Sequence, residues 1–197
     1  MTDVAIVGGG PVGLYLAALL LQEGVGVRVL EQRRARDTHS RAIGIHPPAL
    51  AALGRAGVAP ALTASGVPIR RGRAFSGGRL VGTMSFESAS RQFPFVLSLP
   101  QCSTEAHLER RVQELDPAAL AMGAHVAGIT DDGGRLGLAV TSGGTSMPLS
   151  CVLAVAADGA HSTMRHTLGI PVREKQYPDH YVMGDFADAG VFGTDAV

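Results

Sequence analysis

The strongest constraint in this chain is a glycine turn set between an apolar run and an apolar helix. Val4 to Val7 is unbroken by any polar residue and stops at Gly8, which is how a strand covered on both faces of a parallel sheet reads. Pro11 and Val12 follow, with Pro suited to the first helical turn, where its missing N–H is not needed. Leu14, Ala17, Ala18 and Leu21 then recur at helical spacing up to Gly24, a residue apt for the left-handed C-terminus of a helix. Val25 to Leu30 reads as a second strand ending at Glu31, which completes a β-turn-α-turn-β unit of about 30 residues.

In that context Gly8, Gly10 and Gly13 predict a dinucleotide site. The first glycine permits the tight turn and the second lets backbone N–H groups approach a pyrophosphate. The third lets helix and strand pack closely, with the helix dipole facing the anion. Glu31 lies 23 positions beyond Gly8, close to the spacing of about 20 at which an acid accepts hydrogen bonds from a ribose. An acid there disfavours a 2′-phosphate, so NADP is a poor candidate for this particular site.

Composition narrows the class further. With 197 residues, 46% hydrophobic and 17% charged, the chain reads as a soluble α/β protein of one domain, or one domain and part of another. Seventeen basic and 17 acidic residues leave no net charge, so no global field attracts nucleic acid or an anionic membrane. The apolar run Val12 to Leu21 is too short to span a bilayer, and no basic segment precedes it as a signal peptide requires. Cys102 and Cys151 lack metal-ligand spacing and read as free thiols in a reducing compartment. A cytoplasmic location is expected.

Further along, Pro47 and Pro48 introduce a short helix, Ala49 to Arg55, closed by Gly57. Between Val67 and Phe86, Gly77 and Gly78 mark a hairpin turn inside what reads as a β insertion. Phe93 to Leu99 is a strand candidate, and Gln101 to Leu115 a helix with Leu108, Val112 and Leu115 on one face. Three strands, His125 to Ile129, Leu136 to Thr141 and Met147 to Ala157, form an expected meander around Gly-rich turns. The last runs through Asp158 and Gly159 into a helix, Ser162 to Leu168, that Ser162 can cap. A final strand is expected from Tyr181 to Phe186. Asp158, His161 and Ser162 spell the letters of a hydrolase triad, but residues this close on one turn rarely converge into one.

Four segments, GGGPVG through LEQR, SRAIGIHPPAL, LPQCSTEAHLERRV and AADGAHSTMRHTLGI, occur in the order of a known family. The chain resembles the FAD-dependent aromatic hydroxylases, the group A flavoprotein monooxygenases similar to para-hydroxybenzoate hydroxylase, and especially the polyketide hydroxylases. The last segment looks like the family's DG motif, associated with FAD and nicotinamide binding. The resemblance implies an α/β fold, an FAD-binding Rossmann-like βαβ domain with a β meander and part of an inserted substrate-binding β-sheet. The FAD-binding domain would take residues 1–66 and 96–172, and the partial substrate sheet residues 67–95 and 173–197.

It also implies that Gly8, Gly10, Pro11, Val12, Gly13, Glu31, Gln32 and Arg33 hold the ADP half of FAD. Arg41 would lie beside the pyrophosphate, where a guanidinium fork suits phosphate. Gln101 would lie near the flavin, and Asp158 with Gly159 would form the DG turn, which Arg165 either orients or leaves for a surface acid. The implied activity is hydroxylation of a small aromatic or polyketide-type molecule with O2 and NADPH or NADH, chemistry that needs no protein nucleophile. The family's second FAD motif, Gly-Asp followed by Pro, has no match, since Gly184 and Asp185 lack the Pro. The chain is therefore expected to be the N-terminal portion of a hydroxylase, with a partner for the missing C-terminal half. The alternatives are a flavin reductase or dehydrogenase of the same fold, such as the prenyl reductases, and a non-catalytic nucleotide-binding or partner-binding remnant. A simple NAD-binding domain fits less well, because a meander replaces further βαβ repeats.

Overall fold

The computed structural model describes residues 2–36, 43–173, 175, 177–180 and 195–196. The expected strand from Tyr181 to Phe186 lies outside them, as do Arg41, Gly184 and Asp185.

The first three elements are β1 (Val4–Val7), α1 (Pro11–Gln22) and β2 (Val27–Glu31), the unit foreseen from the glycine turn. Next come β3 (Gly44–Ile45), α2 (Pro47–Arg55), α3 (Ala59–Ser65) and β4 (Val67–Ile69). The hairpin β5 (Arg71–Ser76) and β6 (Arg79–Ser85) turns at Gly77 and Gly78, whose φ of 54° and 76° suit the primed turns that match strand twist. Then follow β7 (Val96–Ser98), α4 (Gln101–Leu115), β8 (Leu120–Met122), β9 (Ala124–Asp131), β10 (Leu136–Ser142), β11 (Thr145–Ser146), β12 (Leu149–Cys151), β13 (Leu153–Ala156), α5 (Thr163–Thr167) and β14 (Asp195–Ala196).

A parallel sheet of order β13-β1-β2-β8 forms the centre. All four residues of β1 are buried, and they divide by the two-residue period of a strand. Val4 and Ile6 face Leu14, Ala17 and Ala18 of α1 and Leu108 and Val112 of α4. Ala5 and Val7 face Val126, Leu138, Val140 and Cys151 of the antiparallel sheet, with Met164 of α5. The result is three layers: helices, parallel sheet, antiparallel sheet. Each fully buried Leu or Ile among these contributes on the order of 2 kcal/mol.

The structure corrects one strand. The expected single strand from Met147 to Ala157 is divided at Val152. β12 pairs antiparallel with β10, Leu136 opposite Cys151, whereas β13 pairs parallel with β1, Val4 opposite Leu153. The carbonyl of Asp3 accepts from both Val152 N (2.9 Å) and Leu153 N (3.0 Å) at the crossing. A continuous apolar run carries no mark of a change of partner, so periodicity could not divide it.

Away from the centre, β4 and β3 flank β7 in a small antiparallel sheet. The hairpin β5–β6 stands beyond it and takes β14 alongside β5. Its apolar side chains are exposed, among them Phe75, Leu80, Val81 and Met84. Arg71 and Arg73 both pair with Asp195 of β14.

Candidate functional site: a glycine cradle at the sheet edge

The C-terminal ends of β13, β1 and β2 open side by side, where open α/β sheets bind ligands. Gly8 leaves β1 with φ +108°, and a Cβ there would stand 2.3 Å from the Ala157 carbonyl oxygen. A Cβ on Gly13 would stand 2.0 Å from the Gly8 carbonyl oxygen. Both glycines are therefore demanded by the protein's own backbone. Gly10 is not: its φ is an ordinary −76°, and a Cβ would meet nothing within 4 Å. The open space at Gly10 is what close approach of a ligand to the backbone requires.

Gly10 caps α1 without a side-chain hydrogen bond, and no acidic residue stands in the first turn. The first N–H groups of a helix have no intrahelical partner, so the positive end of α1 is left for an anion. Pro11 is half-buried, and Val12 is exposed beside it.

Glu31, at the end of β2, is buried. Its Oε2 accepts from Gly9 N at 2.7 Å and Arg33 Nη2 at 3.2 Å. Its Oε1 accepts from Arg33 N at 2.8 Å and Arg33 Nε at 3.0 Å. Burial pushes the carboxyl toward protonation, but the Arg33 side chain, the N–H groups of Arg33 and Gly9 and the guanidinium charge together hold it below its ordinary range. Gln32, next in sequence, is exposed.

Asp158 follows β13 and lies against this turn, since Ala157 N donates to Val7 O at 2.7 Å. Its Oδ2 accepts from Met164 N at 3.0 Å, and Ser162 Oγ accepts from Arg165 N at 3.0 Å. Both side chains thus cap α5, which accounts for these residues without a hydrolase triad. Gly159 has φ +80°, a value that favours glycine. Arg165 reaches back to the Ala160 carbonyl at 2.8 Å, so it braces the turn, the first of the two roles foreseen for it.

Gln101 opens α4, and its Nε2 donates to Glu105 Oε1 at 2.8 Å. Glu105, buried, also lies 3.6 Å from Arg33 Nη2 and 3.9 Å from Arg36 Nη1, while Arg36 pairs with Glu109. Gln101, Glu105, Arg33, Glu31 and Gly9 therefore form one connected polar chain from α4 to the glycine turn. Glu105 went unnoticed in the sequence. Its signal was a charge on the buried stripe of α4 that Leu108 and Val112 continue. Among the described residues, no group of three or more His, Cys, Asp or Glu could hold a metal ion, and no helix is long and apolar enough to cross a membrane.

The profile of a family described as the FAD binding domain matches residues 1–191. The chain belongs to this FAD-binding domain family. Among curated relatives, the chain is 34% identical over 170 residues to the 6-methylpretetramide 4-monooxygenase of Streptomyces rimosus, covering 85% of this chain and 30% of that protein. It is 31% identical over 170 residues to the rifampicin monooxygenase of Streptomyces venezuelae, covering 86% and 34%. Among solved structures, p-nitrophenol 4-monooxygenase from Pseudomonas putida superimposes with a TM-score of 0.81 at 28% identity, over 86% of this chain and 44% of that one. An anhydrotetracycline hydroxylase from Streptomyces rimosus gives 0.77 at 31% identity, over 88% and 35%. The chain thus spans about a third of the length of the curated relatives it matches. The α/β fold with its central parallel sheet is the one the resemblance implied, and the open Gly10 with the uncompensated end of α1 fits the pyrophosphate of FAD.

Proposed function

We propose that this chain is the FAD-binding part of a monooxygenase that hydroxylates a small aromatic or polyketide-type compound with O2 and NADPH or NADH. The observation that carries the reading is the cradle itself: Gly10 open, α1 uncapped by any side chain, and Glu31 and the Asp158 turn on the same sheet edge. Relatives of the chain are named as 6-methylpretetramide, anhydrotetracycline, rifampicin and para-nitrophenol monooxygenases.

In this reading Gly10, Pro11, Val12 and Gly13 present the N-terminus of α1 to the pyrophosphate. Glu31 accepts from the adenosine ribose, with Gln32 and Arg33 beside it. Arg41 adds a guanidinium to the phosphates, and Gln101, Asp158 and Gly159 face the flavin half. Bound flavin supplies hydride acceptance and oxygen activation. The chain's own residues bind and orient it: the buried position of Glu31 keeps water from that end, and the capped Asp158 turn holds the neighbouring strand end fixed. The exposed apolar hairpin β5–β6, with β14 beside β5, supports a substrate sheet over residues 67–95 and 173–197 that further polypeptide completes. A cytoplasmic setting suits a nicotinamide-dependent reaction.

The test is titration of the purified protein with FAD, followed by incubation with NADPH or NADH, ¹⁸O2 and either anhydrotetracycline or para-nitrophenol. Saturable flavin binding is expected of the chain itself, and label in the product once the polypeptide that completes the substrate sheet is supplied. Nicotinamide oxidation without label would favour a reductase, and failure to bind FAD would remove the reading.

A further inference from the structure

Glu31 already has as many donors as a carboxylate has lone-pair positions, about four. Gly9 N and Arg33 N supply two of them, and the Arg33 guanidinium supplies the others through Nε and Nη2. The two backbone donors belong to the turn and cannot leave without unmaking it. A ribose hydroxyl seeking Glu31 must therefore replace the guanidinium.

The structure also supplies a destination. Arg33 Nη2 lies 3.6 Å from Glu105 Oε2, on a carboxylate whose side chain is only 6% exposed while that of Arg33 is 35% exposed. Glu105 is held in place by Gln101 through its other oxygen at 2.8 Å. Arg36, 3.9 Å from the same oxygen, is also drawn to Glu109, which leaves Glu105 able to hold the Arg33 guanidinium at closer range. A short movement of the guanidinium keeps it on a carboxylate, and the ribose hydroxyls take over the two donor positions it leaves on Glu31, whereas a buried carboxylate left with neither would be costly.

We propose that Arg33 is an exchangeable occupant of the ribose acceptor, and that Glu105 receives its guanidinium when a ribose docks. Arg33 and Glu105 then set how strongly the chain distinguishes a ribose diol from a ligand lacking it. The proposal rests on the reading of Glu31 as the ribose acceptor. A permanent Arg33–Glu31 pair, with Glu105 a bystander, is the opposing account.

The experiment compares ADP with 2′,3′-dideoxy-ADP by calorimetry on the purified chain, and the readout is the ratio of the two affinities. Arg33→Gln removes the competitor and is expected to raise the ratio about tenfold, the equivalent of one charge-assisted hydrogen bond at about 1.4 kcal/mol. Glu105→Gln keeps the shape and the bond to Gln101, removes the destination, and is expected to bring the ratio toward one. Arg33→Met, which preserves the aliphatic stem, repeats the first test should Arg33→Gln melt early. A ratio unchanged in the Arg33 and Glu105 variants overturns the exchange while leaving Glu31 as a ribose acceptor. A wild-type ratio of one that stays at one in Arg33→Gln shows instead that Glu31 does not meet the ribose, and a wild-type chain that binds neither nucleotide refutes the site and the exchange with it.

Discussion

Gly8 and Gly10 stand two residues apart, and replacing each by Ala should separate folding from binding. At Gly8 the new Cβ would stand 2.3 Å from the Ala157 carbonyl oxygen and 2.6 Å from its carbon, at φ +108°. Holding a non-glycine residue in that region costs about 1–3 kcal/mol, and forcing a methyl against backbone costs about 1–3 kcal/mol more. For a chain of this size each 1 kcal/mol lowers the melting temperature by about 2–4 °C, so Gly8→Ala should lose on the order of 10 °C. At Gly10 there is no atom within 4 Å and φ is −76°. The only cost is the poorer capping tendency of Ala, about 1 kcal/mol or less. Its methyl does fall where the backbone must approach a pyrophosphate, and a clash of about 1–3 kcal/mol weakens binding roughly 5- to 150-fold. Thermal melts of the ligand-free variants and FAD titrations of each check the pair. A Gly10→Ala chain that binds FAD like wild type, or a Gly8→Ala chain that melts with wild type, would refute the division of roles.

Three further outcomes are expected. Ser162→Ala removes the acceptor for Arg165 N and should destabilise by about 1 kcal/mol, read as a small fall in melting temperature, with Asp158→Ala adding to it through the lost bond to Met164 N. Cys151 is fully buried and burial pushes its thiol up, so iodoacetamide should leave it unmodified in the native chain and alkylate it only on unfolding, while Cys151→Ser should cost about 1–3 kcal/mol by placing a hydroxyl among apolar groups. Glu31 titrates lower folded than unfolded, so its stabilisation is complete above the unfolded value of about 4.3 and is lost as pH falls through the folded one. Acid titrations of stability should accordingly be shallower for Glu31→Gln than for wild type in that window.

The parts of this site visible in sequence are those built from local rules. The glycine turn, Pro11 at the start of α1, Gly24 after it, and Ser162 as a cap each follow from backbone geometry within a few residues. Glu31 was visible because a strand end carries it to a set place. Glu105 was not, because it meets Arg33 and Arg36 only where α4 comes up against the loop after β2, and no local pattern states that neighbourhood. The division of the last long strand at Val152 escaped for the same reason: both halves are apolar, and only the choice of partner differs. α3 and β8 were missed because their runs are short, seven and three residues, too brief for periodicity to speak. Arg41 lies outside the described residues, and its place rests on the family resemblance.

The contact between Gly8 and Ala157 also sets a clock. The Gly8 turn leaves a ribosome well before its closing partner, for the carbonyl that completes it belongs to a residue made 149 positions later. At about 5–20 residues per second, that is a wait of roughly 7–30 s. Until then β1 has only β2 beside it on the growing chain, and the edge that β13 will occupy stays unpaired. Pairing of parallel strands so far apart is slow in any case. The nucleotide turn, made well ahead of its closing strand, acquires its final shape late, and a cofactor can stabilise that shape only after the antiparallel sheet has been made.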